Sequence, residues 1–83
     1  MSRGNEADMV PMIARAIHRY VKTYPDAADT IEGIHGWWLG PPLSEEPEAY
    51  VEAAVAILVA NGTLRQTSME DGRVIFSSAG RRL

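Results

Sequence analysis

At 83 residues the chain has room for one small domain, near the lower limit for a self-sufficient core. Its 46% apolar and 23% charged residues give a globular composition and exclude a disordered tail, and the lack of cysteine excludes disulfides and thiolate metal sites. A net charge of −3 and a pI near 5.2 weigh against nucleic acid as a partner.

The first residues, Met1 to Asp8, are polar, lack an apolar signal core, and are expected to be a flexible lead-in to a domain over 9–83. The longest apolar run, Ala53 to Ala60, spans eight residues and is too short to cross a bilayer. With no cysteine and no signal core, the expected location is cytoplasmic and no membrane partner is expected.

Asp8 is a suitable N-cap for a first helix over Met9 to Tyr24, with Pro11 tolerated in its first turn. Ile13, Ala16, Ile17, Tyr20, Val21 and Tyr24 recur at helical spacing, and Arg15, Arg19 and Lys22 fall on the other face. Pro25 ends the helix. Asp29-Thr30-Ile31-Glu32 has the spacing of a capping box and predicts a second helix to about Leu39, buried through Ile31, Ile34 and Trp38. Gly40-Pro41-Pro42 stops it. Ser44 is the expected cap of a third helix whose acidic first turn suits the helix dipole. Val51, Ala54, Val55 and Leu58 form its buried stripe, and Asn61-Gly62 is its stop.

Beyond Gly62 the period shortens. Leu64–Ser68 and Arg73–Ser77 read as two strands joined by Met69-Glu70-Asp71-Gly72, and Ser77 would cap a last turn to Leu83. Three helices followed by a hairpin make a compact α+β domain.

Charge is the chain's strongest pattern. Asp26, Asp29, Glu32, Glu45, Glu46, Glu48 and Glu52 follow one another with no Lys or Arg among them. The cations flank this stretch: Arg3, Arg15, Arg19 and Lys22 before it, Arg65, Arg73, Arg81 and Arg82 after it. Such a dipolar layout suits self-association or a basic protein partner.

Adjacent helical residues point about 100° apart, so Trp38 takes the core and Trp37 is left at the surface, either as a boundary aromatic or as an anchor for a partner. Gly33 and Gly36 predict a close approach of other backbone to the second helix. The outer side of the third helix, with Ala49, Ala53, Ala56 and Ala60, is small and partly apolar, rimmed by Glu48 and Glu52. It reads either as a solvated face of good helix formers or as a docking surface. His18 and His35 lie on different helices and make no metal site; no catalytic constellation and no cofactor motif is present.

The stretches DTIEGIHGWWLG, YVEAAVAILVANGTL and RVIFSSAGRRL, in this order, resemble the second helix, third helix and return strand of the winged helix-turn-helix superfamily. The resemblance covers roughly residues 10–83 and implies a DNA-reading third helix with the hairpin as wing. At the positions that would read bases stand Glu45, Glu46, Glu48, Ala49, Glu52, Ala53 and Ala56, a face without the cations that phosphates require. The leading expectation is therefore a protein-interaction or adaptor module binding through Glu45, Glu48, Ala49, Glu52, Ala53, Ala56 and Trp37. The alternative is a DNA-binding transcription regulator of bacterial type that holds phosphates with Arg15, Arg19, Lys22, Arg65 and Arg73.

Overall fold

The computed structural model describes residues 6–79, side chains from Asp8 onward. The fold is α+β. Helix α1 (Glu6–Thr23) leads to a two-residue strand β1 (Ala28–Asp29) and the short helix α2 (Ile31–Gly33), which widens into a π-helical turn, Ile34–Trp38. A 3-10 turn (Leu43–Glu45) precedes helix α3 (Glu48–Ala60), and strands β2 (Leu64–Ser68) and β3 (Val74–Ser78) close the domain as a C-terminal hairpin. None of the helices among the described residues is long and apolar enough to cross a membrane.

The core is the meeting of two helical stripes. Ile13, Ile17 and Val21 of α1 face Val51, Ala54, Val55 and Leu58 of α3, all of them buried. Ile34 and Trp38 close one side of this layer, while Leu64 and Phe76 seal it from the sheet. Burial at 3.6-residue spacing on two helices is what drives them together. At the end of α3, Thr63 donates to the Leu58 carbonyl (2.9 Å) and Gly62 to that of Val59 (3.2 Å), with Gly62 at φ 88°. That left-handed residue lets the chain reverse into β2, as the Asn61-Gly62 pair predicts.

The sheet runs in the order β1-β3-β2, all antiparallel, with Leu64 opposite Ser78, Gln66 opposite Phe76 and Asp29 also opposite Phe76. The central strand is thus the last one in the chain. The hairpin turn falls where expected, with Gly72 at φ 95° and Met69 and Arg73 joined backbone to backbone (2.7 Å). β3 is shifted by one residue, to Val74–Ser78, because the Arg73 amide donates to the Asp71 carboxylate (3.0 Å) and belongs to the turn.

Several sequence expectations are corrected. α1 begins at Glu6, so Asp8 lies inside the helix and does not cap it, and Pro11 sits beyond the first turn. Residues 1–5, and the last turn expected over 80–83 with Arg81 and Arg82, lie outside the described residues; Ser77 and Ser78 pair in β3 instead. Tyr24 is 55% exposed, since the chain turns away after Thr23. Thr30, not Asp29, caps α2: its hydroxyl accepts from the Gly33 amide (3.1 Å), while Asp29 is taken by β1.

The second helix does not run regularly to Leu39. After one turn it widens, and the π geometry keeps Ile34 and Trp38 buried together while turning Trp37 outward. Ser44 caps nothing; it lies in the 3-10 turn, and α3 starts after Pro47. Of the two glycines, only Gly33 is crowded, and by a side chain rather than backbone: a Cβ there would run into the Asp29 carboxyl group, whereas none would be met at Gly36.

Leu58→Ala is expected to lower stability by about 2–5 kcal/mol, read as a fall in denaturation midpoint, because it opens a cavity between α1 and α3. The two glycines should part company. Gly36→Ala should stabilise by about 0.4–1 kcal/mol through the unfolded chain, whereas Gly33→Ala should destabilise by displacing Asp29 and with it the start of α2. Equal thermal shifts for the two variants would disprove the asymmetry.

Candidate functional site

The acidic candidates come from the 3-10 turn and from α3. Glu45 is exposed on the 3-10 turn, and Glu48, Ala49, Glu52 and Ala56 are exposed along α3. Ala53 differs from expectation: it is half-buried against the core and offers less open surface than the helix period implies. Glu46 is half-buried too, and its carbonyl accepts from the Nε2–H of His35 (2.8 Å). This bond ties the π-helical turn to the segment entering α3 and fixes how the acidic region is presented. His35 acts here as a strut, a role its spacing did not reveal.

Beside α3 lies a groove of about 380 Å³ that the sequence reading missed. Ile31, Val74 and Phe76 line it with apolar surface, and Glu32 and Glu48 bring two carboxylates to it from α2 and α3. Arg73 reaches the same groove from the hairpin. No local signal marks the groove, because it exists only once the sheet has packed against the start of α2. Glu32 and Glu48 were both visible as acids of the run, but not that they share a groove.

Trp37 is 81% exposed, the most open of the large apolar side chains described. It stands on the turn that leads toward α3, apart from the apolar groove. The structure therefore separates Trp37 from the core, in agreement with its neighbour Trp38 being 7% exposed.

The cations proposed for the alternative reading are all exposed but do not converge. Arg15, Arg19 and Lys22 lie on the side of α1 turned away from its buried stripe, with Arg15 also bordering Ile57 of α3. Arg65 is on the edge strand β2. Arg73 is held by Asp71, its Nε donating to the carboxylate at 2.9 Å. The Arg73 backbone amide, followed by this guanidinium contact, keeps the Asp71 carboxyl below its usual range. Both side chains are open to solvent, so the pair orders the turn without adding much stability.

Among the described residues, no group of three or more His, Cys, Asp or Glu is placed to hold a metal ion. Comparison of the chain with protein-family models, with curated proteins and with solved structures finds no match in any of the three.

Because the Asp71 carboxyl titrates lower in the folded turn than in the unfolded chain, its contribution is complete above the unfolded value and is lost as pH falls through the folded one. Amide exchange at Arg73 should accordingly speed up as pH drops through the acid end of the carboxylate range, after correction for intrinsic rates. Asp71→Asn should flatten that dependence; an unchanged profile would remove Asp71 as its cause.

Proposed function

We propose that this domain is a small protein-interaction module of the adaptor type, whose α3 face and adjoining groove receive a basic segment of a partner protein. The observation that carries the reading is that Glu32 and Glu48 line one groove with the apolar Ile31, Val74 and Phe76, while the Arg73 that also lines it is paired with Asp71. A long basic side chain has the matching anatomy: an aliphatic stem for the apolar wall and a charged head for the carboxylates. Glu45 and Glu52 extend the acidic rim, and Ala49 and Ala56 keep the helix surface low enough for close contact. Charges at such a rim set encounter rate and partner choice more than final affinity.

The alternative is a DNA-binding regulator. The element order α1-β1-α2-α3-β2-β3, with β3 central in the sheet, supports a winged-helix reading, and many relatives of that architecture bind duplexes. Against it stand the acids on α3, which repel phosphate, and the engagement of Arg73 with Asp71. Arg15, Arg19, Lys22 and Arg65 remain its phosphate contacts.

A calorimetric titration separates the two. A Lys- and Arg-rich peptide should bind the parent chain, and Glu48→Lys with Glu52→Lys should weaken it tenfold or more, a change of about 1.4 kcal/mol, with the helical circular dichroism unaltered. Duplex DNA at about 150 mM salt should bind weakly. Nanomolar, sequence-selective DNA binding that Arg65→Ala weakens would overturn the interaction reading in favour of the alternative.

A further inference from the structure

The geometry points to a second copy of this chain as the cover for Trp37. Beside the π-helical turn runs a groove of about 550 Å³, one wall formed by α1 and the other by the segment Trp38–Leu43. Its aromatic lining is already assembled: Tyr20 stacks on Trp38 (ring centroids 4.8 Å apart, 12° between planes), and Tyr24 leans on Tyr20 at the same spacing, tilted by 47°. Such a surface is ordered before anything docks, so little entropy is lost on binding. Met12, 47% exposed, lines the α1 wall and supplies a side chain that adapts to the shape of a guest.

The chain carries both halves of a fit. Trp37, 81% exposed, directly precedes Trp38 of the groove wall but does not line the groove, so its ring is open to a groove on another copy. A two-fold axis beside the π-helical turn would insert each Trp37 into the other copy's groove at once. That contact is isologous and closes at two chains. Head-to-tail repetition would bury only one ring per contact and leave a free ring at one end and an empty groove at the other.

Charge favours the same exchange. Arg19 stands on the α1 wall of the groove, while exposed Glu45 closes the 3-10 turn just after Leu43 at the end of the other wall. Across a two-fold, the basic wall of each copy faces the acidic end of its partner. Tryptophan is the side chain most often found to dominate an interface, and an aromatic surface lined by polar groups is where it docks. This interface shares Glu45 with the acidic rim but uses neither Glu48 nor Glu52, which distinguishes it from the α3 surface.

Sedimentation of the full chain across a range of concentrations tests the inference. The parent should approach the mass of two chains, with tryptophan emission moving to shorter wavelength as it associates. Trp37→Ala should raise the dissociation constant about thirtyfold, and Met12→Glu should act similarly by placing a charge in the groove. A mixture of these two variants retains one ring and one open groove per pair, so it should associate more tightly than either variant alone. Glu48→Lys with Glu52→Lys should leave the dimer intact, which separates this interface from the α3 surface. A parent that stays monomeric at about 1 mM, an association indifferent to Trp37→Ala, or a mixture no tighter than its components would each overturn it.

Discussion

The contact of Ile13, Ile17 and Val21 on α1 with Val51, Val55 and Leu58 on α3 is the interaction from which the other placements follow. It sets the two long helices side by side and leaves a seam at either margin. Ile34 and Trp38 enter one margin, and Phe76 with Leu64 the other. A domain this small has no second core to fall back on. Each surface feature is therefore positioned by the same layer: the acids by how α3 is rotated, the cations by how α1 is rotated, and Trp37 by the need to bury Trp38.

The parts of this arrangement governed by a regular period were legible in the chain. The stripes of α1 and α3, the stop at Asn61-Gly62 and the hairpin turn at Gly72 all rest on local chemistry that a short window contains. The division of labour between Trp37 and Trp38 was legible too, since adjacent residues on a helix cannot share a direction. What escaped was set by distant partners. Two residues of β1 carry no pattern, and they are a strand only because β3 offers them a ladder. The widening after Gly33 depends on fitting Ile34 and Trp38 into a core made elsewhere. Ser44 and Asp29 have good capping chemistry, but the chain at those points was already committed to another element.

The candidate surfaces divide along the same line. The acids around the start of α3 could be named from sequence because they fall within one short stretch of the chain. The apolar wall that gives Glu32 and Glu48 something to flank comes from β3 and α2, more than forty positions apart in the chain. Likewise, the aromatic groove joins Met12 and Tyr24 to Pro41 and Leu43 across a gap no spacing rule bridges. Charge can thus be read along a chain, whereas concavity has to be built.

The sheet order has a bearing on how the molecule assembles. β2 and β3 are neighbours in sequence and join by closing a five-residue turn, a fast and local event. β1 reaches the same central strand from position 28 to position 77, gaining only two residue pairs for closing more than half of the chain into a loop. The entropy of that closure has to be met before so short a ladder can reward it. The outer strand therefore zips on only after α1 and α3 have brought the hairpin within reach, and the start of α2, anchored through Asp29 and Thr30, is completed with it.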